Sequence, residues 1–239
     1  MGLLDVFKGS GGALKKHAAR VANKRAQQHE RWESIQALAK DGSEEALRAL
    51  LVRFTIRVDP SITDGEEKNA AFHGIVQHGE AALGPTRDFL ESSDTLAWPL
   101  KILKEIQSEE QLITILLELL DGMHTEYERD PQKKIDLIAS FEECRDPRIV
   151  SAMIRFLEDM NETARFHAVG AILHQEDAEQ AREALAKALV AEESVRVRMR
   201  ILDGFIEHGW KLAELKDEAA KKMPAGYSLG KKGEVRKRA

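Results

Sequence analysis

IDLIASFEECRDPRIVSAMIRFL, residues 135–157, holds two apolar stripes separated by a polar turn. Ile138, Phe141 and Cys144 recur at helical spacing in the first half. Val150, Met153, Ile154 and Leu157 fill the i, i+3, i+4 and i+7 positions of one helix face in the second. Between them stands Asp146-Pro147, an acceptor for free amides followed by a residue that loses no donor at a helix start. The stretch predicts two amphipathic helices joined by a tight turn.

The scheme recurs on both sides. Trp32, Ile35 and Leu38 precede Leu47, Leu50, Leu51 and Phe54; Ile102, Leu103 and Ile106 precede Leu112, Ile115, Leu116 and Leu119. Less regular pairs follow: Phe166, Val169 and Leu173 with Ala181, Leu185 and Leu189, then Met199, Leu202 and Ile206 with Leu212 and Leu215. A further first helix carries Phe72, Ile75 and Val76, and its partner around Leu83, Phe89 and Leu90 is interrupted by Gly84-Pro85. Turns fall near Gly42, Gly79, Gln107, Arg145, Glu176 and Gly209, spanning 167 residues in five intervals of about 33, which suits a helix–turn–helix repeat. Capping spacings at Ser108/Gln111 and Thr63/Glu66, Asp130-Pro131, and Asn161 support the boundaries. The expected fold is all-α, a solenoid of five to six such units over residues 29–222 in one continuous domain. A basic, partly helical extension at 1–28 precedes it and a basic flexible tail at 223–239 follows.

Composition agrees. Of 239 residues 43% are hydrophobic, enough for a packed interior, while aromatics are 5% and charged residues 32%. The net charge of −5 conceals an acidic body: residues 1–28 carry +5 and residues 221–239 carry +6, leaving −16 between them. Cys144 is the single cysteine, which excludes an internal disulfide and suggests a reducing compartment. The apolar cluster near the N-terminus is too short for a signal-peptide core, and no stretch matches the roughly 20 residues of a spanning helix. The expected location is the cytoplasm, with peripheral attachment at the inner membrane face as an extension of that reading.

Residues 161–173, NETARFHAVGAIL, and 193–202, ESVRVRMRIL, resemble the first helix of HEAT repeats, in particular the short bacterial HEAT-like repeats also seen in phycobilisome lyases. The resemblance spans about residues 29–215, best in the last three units and loosest in the second. It implies a curved surface for macromolecular binding. It also implies that Arg165, Arg196, Arg198 and Arg200 brace adjacent units, with ligand contact as the other reading.

Candidate binding residues follow from register. Aligning units on their closing leucines puts Arg53, Asp88, Glu118, Arg155 and Lys187 in one row of second helices. The row is either a solvated face or a mixed-charge groove for a partner segment. Loops 55–63 and 121–130 offer Arg57 and Tyr127, on the view that loops carried by a rigid scaffold often serve recognition. Near the N-terminus, Leu3, Leu4, Phe7, Lys8, Lys15 and Lys16 suit an anionic membrane surface, the alternative being a helix that caps the first unit. Nucleic acid is disfavoured for the acidic body.

No catalytic, cofactor-binding or metal residue is expected: His73 and His78 diverge on a helix, no H-E-x-x-H is present, and Gly9-Ser-Gly-Gly12 lacks the Gly-Lys-Ser/Thr of a phosphate loop. The expected role is a non-catalytic scaffold or adaptor for a protein partner. Two alternatives stand beside it. One is a HEAT-type enzyme resembling alkylpurine DNA glycosylases or bilin lyases, though Trp32, Trp98 and Trp210 sit at structural-looking positions. The other is a scaffold attached to membrane or nucleic acid by its basic ends.

Overall fold

Residues 11–237 are described by the structure, a computed structural model. Among the described residues the chain is all-helical apart from one two-stranded sheet. In order the α-helices are α1 (Gly12–Val21), α2 (Gln28–Asp41), α3 (Glu44–Val52), α4 (Ser61–Val76), α5 (Leu83–Ser92), α6 (Ala97–Ile106), α7 (Glu109–Asp121), α8 (Gln132–Ser140), α9 (Arg148–Met153), α10 (Glu162–Leu173), α11 (Arg182–Ala191), α12 (Val195–Glu207) and α13 (Lys216–Lys221). Single 3-10 turns prolong α3, α8 and α9. Strands β1 (Tyr227–Leu229) and β2 (Val235–Lys237) pair antiparallel. No helix among the described residues is long and apolar enough to cross a membrane.

Two compact units make up the chain, one ending at Leu112 and one beginning at Ile113. In the first, α2 packs on α4 and α4 on α6, while α3 packs on α5. Ile35, Leu38, Leu47, Leu50, Ile75 and Ile102 form its buried core. Helix α1 lies over α2 and α3, burying Ala18 and Val21, and His17 hydrogen-bonds with Ser34. In the second unit α8 packs on α10 and α10 on α12, and α11 contacts both the turn after α9 and α13. Ile138, Phe141, Met153, Phe156, Val169 and Leu185 are fully buried there. Within each unit even-numbered helices therefore stack on even-numbered ones, while α3 packs on α5 in the first and α11 on the turn after α9 in the second.

Local signals position these elements. Ser43, Asn161 and Ser194 each accept hydrogen bonds from amides in the first turn of the following helix. Ser108 and Gln111 cap one another's amides as their spacing predicts. Gly42, Gly79 and Gly209, three of the expected turns, have φ of 64°, 53° and 67°, a region open to glycine without steric cost.

A second periodicity emerges from the packing. Gly74, Gly170 and Gly204 each precede a histidine by four residues: His78, His174 and His208. A Cβ on Gly74 would stand 2.6 Å from the Ala39 Cβ of α2, and one on Gly204 would meet the Leu173 side chain of α10 at 2.4 Å. At Gly74 and Gly204 successive even-numbered helices are therefore in direct contact. His78 then donates from Nε2 to the Ala39 carbonyl (2.7 Å), and His208 from Nε2 to that of Leu173 (3.2 Å), each satisfying the C-terminal turn of the preceding even helix. Around His174 the same task falls to Gln175, whose amide donates to the Cys144 carbonyl at 2.9 Å.

Several expectations are corrected. Helix α4 begins at Ser61, so Thr63 and Glu66 lie inside it rather than at its start. Gly84-Pro85 does not break α5, because both residues fall in its first turn, where proline costs no hydrogen bond. In the last pair Leu212 precedes the helix: its amide donates to the Gly233 carbonyl, and the helix begins only at Lys216. The tail at 223–239 is not a flexible end through residue 237. Tyr227 and Val235 are buried, the Tyr227 hydroxyl donates to Asp203 (2.7 Å), and β2 rests on α12.

Replacing Gly74 by Ala should overpack the α2–α4 contact and lower the unfolding free energy by about 1–2 kcal/mol, despite the better helix propensity. Gly84→Ala, with open space around its Cβ, should instead raise it by up to about 1 kcal/mol. Urea denaturation midpoints of the two variants, read against the parent, check the opposite signs.

Candidate functional site

One cleft of the second unit opens between α7 and α9. It has a volume of about 600 Å³ and is lined by Thr114, Leu117, Glu118, Asp121, Arg148 and Arg155 among others. Arg155 is exposed and its guanidinium donates to the Leu120 carbonyl at the end of α7 (2.6 Å). Arg148 bridges the same two helices by donating to Thr114 Oγ1 (3.0 Å). A second cleft, about 310 Å³, lies between the turn after α9 and α11, with Leu157, Glu158, Gln180, Glu183 and Lys187 on its walls. Both are lined by residues of odd-numbered helices or the turns next to them, leucines and charges of both signs together.

Three of the five residues in the expected row, Glu118, Arg155 and Lys187, line these grooves. Lys187 is exposed and holds Glu183 at 2.6 Å. In the first unit the row fails at Arg53. Its side chain is completely buried, donating to Glu67 (2.9 Å) and Asp64 (2.8 Å), so it faces no partner. Its place after the apolar stripe gave no warning, since the carboxylates that enclose it come from α4. Asp88 is exposed and pairs with Arg48 of α3 at 2.6 Å. Arg57 and Tyr127 are exposed in their loops, as are Lys15 and Lys16 on α1. Leu3, Leu4, Phe7 and Lys8 lie outside the described residues.

Sequence reasoning missed the charged clusters beneath these surfaces. In the first unit Glu67, with no exposed surface, accepts from both Arg31 and Arg53, while Asp64 accepts from Arg53, Lys68 and the Val58 amide. Burial alone would raise the Asp64 pKa, but Lys68, Arg53 and that amide outweigh it and bring it down to about 2. In the second unit Lys134, also buried, reaches the His124 carbonyl, Glu128 and Asp159 at 2.8, 3.4 and 2.8 Å.

The four arginines expected to brace adjacent units make contacts of different kinds. Arg165 grips Glu192 with two hydrogen bonds (2.7 and 2.8 Å) and donates to the Asp159 carbonyl (2.8 Å). Burial pushes the Glu192 pKa up, but Arg165 and the Ser194 and Glu193 amides prevail and hold it below the usual range. Arg200 crosses α10 to Glu142 and to the Phe166 carbonyl, through the space Gly170 leaves, and His167 donates to the same carboxylate (2.6 Å). Arg196 stacks on Phe166 at 4.0 Å, and Arg198 donates to the Lys222 carbonyl.

Among the described residues no three His, Cys, Asp or Glu side chains gather as a metal-ion site. Trp98 is stacked on Phe54 (5.2 Å) and Trp210 on His208 (4.4 Å), both as packing elements; Trp32 is 42% exposed beside His29. Compared with known families, the chain matches no family model, and no curated protein matches it.

Glu67→Gln leaves two buried guanidiniums without their shared anion and should cost about 3–5 kcal/mol of stability. Asp64 supplies the pH dependence. Its folded pKa lies below the unfolded value of 3.8, so its contribution is complete above about pH 4 and is lost as pH falls through about 2. Denaturant titrations across that window should show stability falling in the parent and a shallower slope in Asp64→Asn.

Proposed function

We propose that the chain is a non-catalytic interaction scaffold built of HEAT-like helix pairs, and that the groove layer of the second unit holds a segment of a protein partner. The single observation that carries this reading is the pair of clefts walled by α7, α9 and α11. Even-on-even and odd-on-odd packing, repeated within each unit, is the arrangement in which one helix pair buries its stripe against the next. The recurrence of Gly and His four residues apart adds sequence support for a common repeat. Such stacking leaves one face of each odd-numbered helix free. Its mixed charge suits a partner of alternating sign better than a phosphate backbone, because Glu118, Asp121, Glu158 and Glu183 stand among the cations.

The buried, lone Cys144 fits a reducing interior, and we place the protein in the cytoplasm on that ground. Lys15 and Lys16, exposed on α1, leave attachment to an anionic membrane surface through the N-terminal region as an accessory to the scaffold role.

Reversing both groove cations with Arg155→Glu and Lys187→Glu should weaken capture of the physiological partner by about tenfold or more, read by affinity purification with quantitative mass spectrometry and crosslink mapping. Unchanged capture removes the groove from the reading. Turnover of methylated DNA or of free bilin by the purified chain would overturn the non-catalytic part.

A further inference from the structure

Three loops of the second unit, 122–131, 159–161 and 192–194, are tied into one continuous edge. The Met160 amide donates to the Thr125 carbonyl (2.9 Å), joining the first to the second. Buried Lys134 clamps the same junction from beneath, through the His124 carbonyl and Asp159, and Asp159 in turn accepts from the Asn161 amide. Arg165 joins the second loop to the third by gripping the Asp159 carbonyl and Glu192 together, and Ser194 donates to Glu162 at 2.8 Å. Lys134 and Asp159 are each 1% exposed. Burying such a pair seldom adds stability over an apolar core of similar volume, so its effect here is positional.

What the tied backbone displays is apolar. Tyr127, Met160 and Val195, one from each loop or its following residue, are 75%, 66% and 50% exposed. Single exposed apolar residues are ordinary on protein surfaces, but these three stand on loops that are hydrogen-bonded one to the next. Around them stand exposed carboxylates: Glu126 and Asp130 beside Tyr127, Glu162 beside Met160, and Glu193 beside Val195. Arg129 and Arg196 are the exposed cations there, and Arg196 is drawn over Phe166 and toward Glu162.

We propose that this edge is a second docking surface, distinct from the grooves, and that its occupant is a protein segment in which apolar residues alternate with lysine or arginine. Apolar side chains of the segment fill the spaces between Tyr127, Met160 and Val195. Its cations meet the flanking carboxylates and the face of the tyrosine ring, which attracts cations through its quadrupole. An anionic lipid surface or a nucleic acid carries the wrong charge for this rim.

The test uses the full-length chain and two fluorescein-labelled peptides at physiological salt, one of leucine and lysine and one of leucine and glutamate in the same order. Fluorescence anisotropy is expected to show binding of the lysine peptide and none of its acidic counterpart. The variant Tyr127→Ser/Met160→Ser/Val195→Ser alters only exposed side chains and leaves net charge unchanged, and it should weaken binding by about tenfold or more. Glu126→Lys/Glu193→Lys should shift preference toward the glutamate peptide. Wild-type affinity in the serine variant would show attraction by bulk negative charge and overturn the proposal, as would equal binding of both peptides. Binding to phosphatidylserine vesicles that disappears in the serine variant would overturn the choice of a protein segment. The groove variant Arg155→Glu/Lys187→Glu should keep its dependence on Tyr127, Met160 and Val195, so the failure of one surface is distinguishable from that of the other.

Discussion

Gly74 and Gly204 let successive even-numbered helices approach until a single added carbon would collide with the helix next door. That closeness governs what surrounds it. An amphipathic pair in isolation exposes its stripe to water, and only a neighbour at van der Waals distance removes it. The same closeness brings the end of one even helix within reach of the histidine closing the next, so His78 and His208 can donate to carbonyls in its last turn. Gly170 serves a different tenant: the space it leaves admits the guanidinium of Arg200, which reaches Glu142 across α10.

Charge is spent on position rather than on net stability. Glu67 between Arg31 and Arg53, and Asp159 beside Lys134, are ion pairs withdrawn from water, a setting where desolvation offsets most of the attraction. Each cluster reaches a loop between helix pairs. Arg53 donates to the Ile56 carbonyl and Asp64 accepts from the Val58 amide, while Lys134 and Asp159 hold 124 and 161. Apolar residues could fill these volumes but could not hold a loop backbone at chosen points. The exposed residues of those loops thereby inherit the rigidity of the core.

The apolar periodicity carried most of the helix layout, because a stripe at 3.6-residue spacing has few alternatives once turns recur about every 33 residues. Asn161, Ser108 and Gly42 marked boundaries through chemistry that acts within one turn of chain, which is why they were readable. Arg53 was misread because its burial depends on Glu67 and Asp64, carboxylates that adjoin it only after α4 folds back. The terminal hairpin was hidden by its lysines. Its signal was the alternation around Gly230-Lys-Lys-Gly233, with Tyr227 and Val235 inward, which a reading by net charge passed over. Of the candidate row, Glu118, Arg155 and Lys187 could be placed by register within one unit; the edge of Tyr127, Met160 and Val195, whose members stand 33 and 35 residues apart, was passed over because register was read from helix stripes and closing leucines and not from the residues between helices.

Stacked helix pairs have an inherent tendency to continue, because the outermost pair of any stack offers the same oily surface that its neighbours have already covered. In each unit an element outside the stack covers such a surface. Helix α1 closes the first pair of one unit, and in the other the strands carrying Tyr227 and Val235 settle on α12. Without either cover, the apolar surface beneath it would stand open to water and invite association with other exposed apolar faces.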